Sequence, residues 1–247
     1  MKVSKAQKDE IRKNLLNSAV SLFTEKGFNR TTMREISTSA GYSAGTIYSY
    51  FPNKERIFLG YFEEKQRDLF VAVEDIEAYE TYSLKERLQT LLELQLEIYL
   101  DEREFVEITF RALMDSPMKS FTELKPSKDR FTEAVEACFA QALEQGEIPP
   151  QPFGRFISQL FWEYKNLIVL YWLRDESVGF TNTSRLIDAS LDLFMAAIQS
   201  DIVTKSMDLA GFLVKSHLYG NIDKITELFG LVSAIGNPFR EQTRDGE

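Results

Sequence analysis

The sequence predicts an all-α fold in which three short N-terminal helices precede a larger helical body. Apolar residues recur at spacings of three and four along most of the chain, which is the period of one helix face. Capping residues and glycines flank these segments. No segment alternates apolar and polar residues as a half-buried strand does. The 247 residues are enough for one large domain or two modest ones with packed cores.

The first helix is predicted over residues 7–26. Leu15, Ala19 and Leu22 form one apolar stripe in this segment, so one side of the helix is expected to pack against its neighbours. Gly27 follows directly and predicts the end of the helix, because glycine adopts a positive φ without steric strain.

Two shorter helices are predicted next. Thr32 and Glu35 form a capping box, in which the Thr hydroxyl accepts the N–H of the Glu and the Glu side chain accepts the Thr N–H. We expect the helix that this box opens to end at Gly41. Ser43 can cap the following helix, which must stop before Pro52 because the residue in front of a proline disfavours the helical conformation.

The body is predicted to consist of longer helices. Asn53 caps the first of them, and a second capping box at Ser83 and Glu86 opens another. Pro117 and Pro126 are expected to bracket a loop. Beyond the helix that Asn53 caps, the periodicity predicts helices over residues 83–100, 103–115, 128–145, 153–174, 182–200, 202–216 and 221–232.

Charge is divided unequally along the chain. Residues 1–54 hold nine Lys and Arg against four Asp and Glu, a net charge of +5. Residues 55–247 hold 20 bases against 34 acids, a net charge of −14. A basic head on an acidic body favours a polyanion as the partner of the head alone, although chance clustering gives the same numbers.

Composition disfavours several classes of protein. The longest apolar run, residues 167–173, has seven residues, whereas a membrane span needs about 20, so no membrane partner is expected. The polar N-terminus predicts no secretory signal. The chain has one cysteine, Cys138, and one histidine, His217, so we expect no metal site, no cofactor and no enzymatic activity.

The second and third helices and the tight turn between them form a helix-turn-helix pattern. In DNA-binding proteins the second helix of such a pair enters the major groove, which requires a small and polar leading face. Residues 43–46, Ser-Ala-Gly-Thr, provide that face. Tyr48 and Tyr50 can donate hydrogen bonds to phosphates, and Lys54 lies at a helix N-terminus, where phosphates are favoured. A helical hairpin without a nucleic-acid role has the same pattern.

Residues 12–60 resemble the DNA-binding domain of the TetR family of bacterial transcriptional regulators. The similarity is carried by LFTEKGF at 22–28, TTMREI at 31–36 and AGYSAGTIYSYFPNKE at 40–55. The resemblance implies that Thr32, Tyr48 and Lys54 contact phosphates, whereas Arg34 and the small residues of the third helix face base edges. The expected DNA-binding residues are Thr32, Arg34, Ser43, Ala44, Gly45, Thr46, Tyr48, Ser49, Tyr50 and Lys54.

The same resemblance implies a DNA-binding domain over residues 1–55, a ligand-binding and dimerisation domain over 56–240 and a flexible tail over 241–247. In this family the last two main helices of the body form a four-helix bundle with their symmetry mates. The helix over 153–174 is apolar all round, which also favours burial against a second copy of the chain. The expected interface residues are Leu160, Tyr164, Leu167, Leu191 and Phe194.

A small-molecule pocket inside the body is a further expectation from the resemblance. Its candidate lining residues are Phe105, Phe110, Met114, Phe139, Phe161, Trp162 and Tyr164, although ordinary core packing explains each of them as well. Glu163, Lys165 and Asn166 interrupt the apolar helix over 153–174. These three side chains can orient a polar ligand group, form an interface ion pair or line an exposed stripe.

Together these expectations describe a homodimeric, ligand-responsive repressor in a bacterial cytoplasm. Two basic heads bind the half-sites of a near-palindromic double-stranded DNA operator, and a small, mainly apolar inducer releases the protein. Two other functions stay open here. A protein of this fold that has lost DNA binding could carry a lipid or another apolar ligand, whereas an enzyme such as a small hydrolase is disfavoured by the missing catalytic motifs.

Overall fold

The computed structural model describes residues 4–114, 124–150, 154–200 and 202–213 of the chain. The long regular elements in these ranges are all helices, which confirms the predicted all-α class. They are α1 (Lys5–Lys26), α2 (Met33–Ser39), α3 (Ala44–Tyr50), α4 (Lys54–Glu74), α5 (Leu84–Leu100), α6 (Arg103–Met114), α7 (Lys125–Glu144), α8 (Gly154–Trp172), α9 (Thr181–Gln199) and α10 (Ile202–Leu213). Short 3-10 turns occupy Tyr79–Thr81 and Val178–Phe180. The helix predicted over 221–232, His217 and the tail over 241–247 lie outside the described residues.

The predicted helix starts are present as hydrogen-bonded caps. The N–H of Thr32 donates to Glu35 Oε2 at 2.8 Å, and the N–H of Glu35 donates to Thr32 Oγ1 at 3.2 Å, so the predicted capping box opens α2. Ser43, Asn53 and Ser83 cap α3, α4 and α5 with their side-chain oxygens. These caps satisfy backbone N–H groups that have no partner inside the helix, and they define where each helix begins.

The ends of α1 and α2 agree with the predicted glycine stops. Gly27 follows α1 with φ +80°, and Gly41 lies in the turn between α2 and α3 with φ +78°. Both conformations strain residues that carry a Cβ atom.

The expectation that Pro126 closes a loop is wrong, because α7 starts at Lys125 and contains Pro126 in its first turn. Proline fits there because the first N–H groups of a helix need no intrahelical acceptor.

The chain divides into two compact units, residues 1–195 and 196–247. The first unit contains α1 to α8 and most of α9. Within this unit we call α1 to α3 the head and α5 to α9 the body, with α4 running from one to the other. Of the second unit, the described part includes α10. No helix among the described residues is both long and apolar enough to span a bilayer.

An aromatic cluster at the centre of the first unit joins the head to the body. The ring centroid of Phe105 on α6 lies 6.1 Å from that of Phe23 on α1. It also lies 5.8 Å from the ring of Phe58 and 4.7 Å from the ring of Tyr61, both on α4. Trp172 at the end of α8 belongs to the same buried cluster. The head therefore has no separate core, because its apolar face continues into the body.

The corner between α8 and α9 is fastened by one arginine and one aspartate. Arg103 Nη2 donates to the carbonyl oxygens of Trp172 at 2.9 Å and Asp175 at 3.1 Å. The Asp175 carboxylate accepts hydrogen bonds from Ser177 and Thr183, and these bonds hold the pKa of Asp175 well below its usual range. The carboxylate therefore stays charged, and it fixes the first turn of α9 against the end of α8.

Candidate nucleic-acid interface

The α2–α3 pair forms a tight helix-turn-helix. The connection is closed by a hydrogen bond from the Tyr42 N–H to the Ser37 carbonyl at 2.8 Å. A second bond runs from the Gly41 N–H to the Thr38 carbonyl at 3.1 Å. The two helices pack against each other. This arrangement presents α3 as the second helix of the pair, which is the helix that enters the major groove in DNA-binding proteins of this type.

One side of α3 is buried and holds the helix in place. Ile47 is fully buried, and Phe51 directly after α3 is also buried. The guanidinium carbon of Arg12 on α1 lies 5.2 Å from the centroid of the Phe51 ring, and the same Arg12 forms an ion pair with Glu63 on α4 at 3.0 Å. The anchoring side of α3 is therefore fixed by both α1 and α4, and the opposite side is left open.

The exposed side carries most of the predicted DNA-binding residues. Thr32, Arg34, Ser43, Ala44, Gly45, Tyr48 and Ser49 are exposed, and Thr46, Tyr50 and Lys54 are partly buried. Tyr48 is exposed over 56% of its surface, which makes it one of the large side chains that the head presents to solvent. The structure brings all ten residues together on α2, α3, the turn between them and the start of α4.

Hydrogen bonds divide these residues into those whose polar groups are occupied and those whose groups are free. Ser43 Oγ accepts the Thr46 N–H at 3.2 Å, and Ser49 Oγ donates to the Thr46 carbonyl at 2.6 Å. The guanidinium of Arg34 and the phenol of Tyr48 make no hydrogen bond to another described residue. These two side chains are the donors that the surface leaves available for an incoming acceptor.

Lys54 lies at the start of α4, as predicted, and its ammonium is partly engaged within the chain. Its ammonium donates to the carbonyl oxygens of Phe28 at 2.6 Å and Thr31 at 2.9 Å, and it lies 4.3 Å from the centroid of the Phe28 ring. Two of its three protons therefore tie the loop before α2 to the start of α4. One proton is left for a phosphate, next to the cap residue Thr32.

Glu35 places a negative charge beside that cap. The Thr32 N–H and hydroxyl donate to Glu35 Oε2, and together with Lys26 they hold the pKa of Glu35 below its usual range. The Thr32 hydroxyl proton is therefore already used. A phosphate contact from Thr32 requires this hydroxyl to turn away from Glu35.

The predicted ligand-lining residues do not form one group in the structure. Phe105 and Phe110 belong to the aromatic cluster between head and body. A second group lies in the body around Phe131 and Phe194 and contains Phe139, Phe161, Trp162 and Tyr164. The side chain of Met114 lies outside the described part of the chain. The members of the second group pack against one another within the body, with neighbouring ring centroids 5.3–6.4 Å apart.

Sequence reasoning missed a surface groove of about 450 Å³ between α1 and the α5–α6 corner. The groove is lined by Asn17, Val20, Ser21, Thr24, Glu25, Asp101, Glu102, Glu104 and Phe105. These residues come from segments about 80 positions apart and are mostly polar, so no local pattern marks them. Glu102 is occupied by an ion pair with Lys65 at 2.6 Å and a hydrogen bond from Tyr61 at 2.9 Å.

The polar residues that interrupt α8 have different environments. Glu163 is exposed and forms an ion pair with Lys128 on α7 at 2.6 Å. Lys165 is buried, with 5% of its surface exposed. An exposed polar stripe, one of the three alternatives, is therefore wrong for Lys165, because the α8 face that carries it packs against α7.

The expected interface residues separate into an exposed and a buried set. Leu160 and Leu167 on α8 are exposed over 51% and 63% of their surfaces, which leaves them free for a partner. Tyr164 and Phe194 are half-buried, and the Tyr164 hydroxyl lies 2.6 Å from Ser190 Oγ on α9. Leu191 has 1% of its surface exposed, so it packs inside its own chain and cannot present an interface surface.

Comparison with known proteins establishes the family. Residues 15–61 match the sequence profile described as "Bacterial regulatory proteins, tetR family", and residues 87–213 match "Tetracyclin repressor-like, C-terminal domain". The second match alone covers about half of the chain. The chain therefore belongs to the TetR family, and it is a DNA-binding transcriptional regulator of that family.

Relatives and solved structures agree with this assignment. The fatty acid metabolism regulator protein of Bacillus subtilis is 22% identical over 66% of this chain and 83% of its own length. FadR from Bacillus subtilis, solved in complex with stearoyl-CoA, superposes with a TM-score of 0.60 and 20% identity over 76% of this chain and 97% of that chain. FadR from Bacillus halodurans gives a TM-score of 0.57 and 21% identity over 73% and 93%. At these identities the solved structures show the shared fold.

Gly45 offers a test of which surface meets DNA. A Cβ atom built at Gly45 meets only Ser43 Oγ, at 3.8 Å, so Gly45→Ala fits the fold and should stabilise α3 by up to about 1 kcal/mol. If α3 enters the major groove with this residue leading, the added methyl obstructs the approach of the backbone to the bases. We expect Gly45→Ala to weaken operator binding about tenfold or more, which is about 1.4 kcal/mol.

The matched control is Gly211→Ala in α10, another helical glycine whose added Cβ meets no described atom within 4 Å. Fluorescence anisotropy on a labelled operator measures both variants. Unchanged affinity for Gly45→Ala, with an unchanged or raised melting temperature, would place the N-terminus of α3 away from DNA.

Proposed function

We propose that the protein is a homodimeric repressor that binds a near-palindromic operator and is released from it by a small, mainly apolar ligand. The observation that carries the proposal is the helix-turn-helix surface, which leaves Arg34 and Tyr48 exposed with no partner among the described residues. Arg34 contacts a guanine edge and provides sequence information, whereas Tyr48 donates to a phosphate and sets the register of the head. Lys54 adds a phosphate contact with its remaining proton.

The dimer forms through an exposed apolar surface on α8 and α9, which we call the bundle face. Its members are Phe156, Leu160, Leu167, Tyr171, Leu186 and Leu193, and each is exposed over 36% to 73% of its surface. On α8 they recur at intervals of four and seven residues, so they lie along one side of the helix. Exposed apolar residues that line one side of a helix favour burial against a partner, and two copies of the same face close a two-fold dimer.

The ligand is proposed to bind in the body among Phe139, Phe161, Trp162 and Tyr164. This group surrounds Phe131 and Phe194 and offers an aromatic lining for an aliphatic chain. The FadR structure in complex with stearoyl-CoA supports an acyl chain as the kind of ligand to test first. Binding shifts the population away from the conformation that fits the operator, by no more than the difference in ligand affinity between the two conformations.

Selection from a random double-stranded DNA pool at about physiological salt tests the DNA-binding half of this proposal. We expect recovery of a two-fold symmetric motif, because each head of a dimer reads one half-site. Recovery of no motif from folded, dimeric protein would contradict operator binding and favour an apolar-ligand carrier. Mass spectrometry of the denatured sample then identifies any bound ligand. A second selection after removal of that ligand distinguishes the two cases, because only a repressor purified with its inducer regains a motif.

Leu167→Glu tests the bundle face. Leu167 is exposed over 63% of its surface in the single chain, so the substitution leaves the core unchanged. In a two-fold dimer the substitution buries two new carboxylates, one from each subunit. A buried unpaired charge is strongly unfavourable. We expect the variant to be monomeric and to lose most of its affinity for a two-half-site operator, because one head contributes only half of the contacts.

Val178→Glu is the matched control, since Val178 is exposed over 93% of its surface and lies in the 3-10 turn between α8 and α9 rather than on either helix. Sedimentation velocity measures the oligomeric state of both variants. A dimeric Leu167→Glu variant would show that the interface lies elsewhere.

A further inference from the structure

Lys165 on α8 is a buried lysine whose amino group lies against two aromatic rings. It has 5% of its surface exposed. Its Nζ lies 3.6 Å from the centroid of the Trp162 ring and 5.2 Å from that of Phe131 on α7. The two rings belong to the aromatic group in the body, so the ammonium lies within the region proposed above for the ligand.

The ammonium lacks a counterion among the described residues. It makes no hydrogen bond or ion pair to any of them, and the nearby carboxylate of Glu163 is held by Lys128 at 2.6 Å. Contact with ring faces compensates only part of the hydration that a buried ammonium loses. Burial accordingly lowers the pKa of Lys165 to about 7, with Glu163 opposing the shift.

Three more buried polar atoms on the helices that pack beside α8 lack a hydrogen-bond partner among the described residues. They are Arg87 Nη1 and Gln95 Nε2 on α5 and Thr132 Oγ1 on α7. The helices α5, α7 and α8 all pack against one another. An ammonium, an amide N–H and a hydroxyl can all donate hydrogen bonds, and each such donor favours an acceptor.

We propose that Lys165 recognises an acidic group on the ligand, which makes the ligand an amphipathic anion rather than a neutral apolar molecule. Its carboxylate or phosphate oxygens accept from the Lys165 ammonium. Its apolar part packs among Phe131, Phe161 and Trp162. The inference rests on the proposed function only in placing a ligand inside the body.

Low polarity around Lys165 explains why such an anion is selected. An ion pair in a water-excluded interior is much stronger than one at the surface, and the anion supplies the counterion that the ammonium lacks. A neutral ligand of the same shape leaves the ammonium unpaired. The ammonium also moves from the face of Trp162 toward the anion, so binding changes the fluorescence of that indole.

Three probes with the same ten-carbon chain test the proposal on the full-length protein without DNA. They are decanoate, decyl phosphate and the neutral 1-decanol, each titrated while tryptophan emission and the melting temperature are recorded. We expect one or both anions to bind about tenfold to a hundredfold more tightly than 1-decanol, the range given by one charge-assisted hydrogen bond. The ratio of decanoate to decyl phosphate identifies the acidic group.

Variants assign this preference to one residue. Lys165→Met should abolish the preference for the anion and leave 1-decanol binding unchanged, because the volume is retained and the charge removed. Lys165→Arg keeps the charge and should retain the preference, which preserves the test if Lys165→Met fails to fold. Lys125→Met removes an exposed lysine of α7 and is the control. Equal binding of all three probes by the wild type, or an anion preference that survives Lys165→Met, would overturn the proposal.

These outcomes are separate from those of the proposed function. Anion binding is measured without DNA, so a failed operator selection leaves the assignment of Lys165 intact. Conversely, a recovered operator together with equal binding of the three probes would refute the role of Lys165 alone.

Discussion

The packing of Phe105 against the head is the interaction on which the rest of the structure depends. This residue of α6 lies between Phe23 of α1 and the α4 rings of Phe58 and Tyr61. Beside this cluster, Tyr61 donates to Glu102 at 2.9 Å and Lys65 forms an ion pair with the same carboxylate. A head that shares its core with the body cannot change its position without repacking α6, because packed interiors resist small deformations.

This constraint gives a physical route between the ligand region proposed in the body and the DNA-binding head. The helix α8 carries Lys165 in the body and ends at Trp172, which belongs to the cluster around Phe105. Seven residues separate the two positions, about two helical turns or 10 Å. The proposed anion, by moving the Lys165 ammonium, would therefore act on a helix whose far end packs into the core shared with the head. Arg103 strengthens this link, since it binds the Trp172 carbonyl from the first turn of α6.

Local features of the fold were predictable from sequence, whereas tertiary environments were not. The capping box at Thr32 and the glycine stop at Gly27 depend on neighbouring residues alone, so the helix-turn-helix was recognisable before its packing was known. The burial of Leu191 and Lys165 depends on which helix covers each face. Apolar periodicity on α8 and α9 does not show whether a face is buried in the core of the same chain or against a second chain. The partners of Lys54 are likewise set by tertiary packing, since its ammonium donates to the Phe28 carbonyl in the loop before α2.

Hydrogen–deuterium exchange with and without bound operator tests the coupling through Phe105 most directly. Coupling between two sites is reciprocal, so DNA bound to the head must affect the body if the body is to affect the head. Shared packing predicts that operator binding slows amide exchange in α6 as well as in α1 to α4, although α6 lies outside the proposed DNA surface. Slower exchange confined to α1 to α4, with α6 unchanged, would contradict a common core as the connection between ligand and DNA.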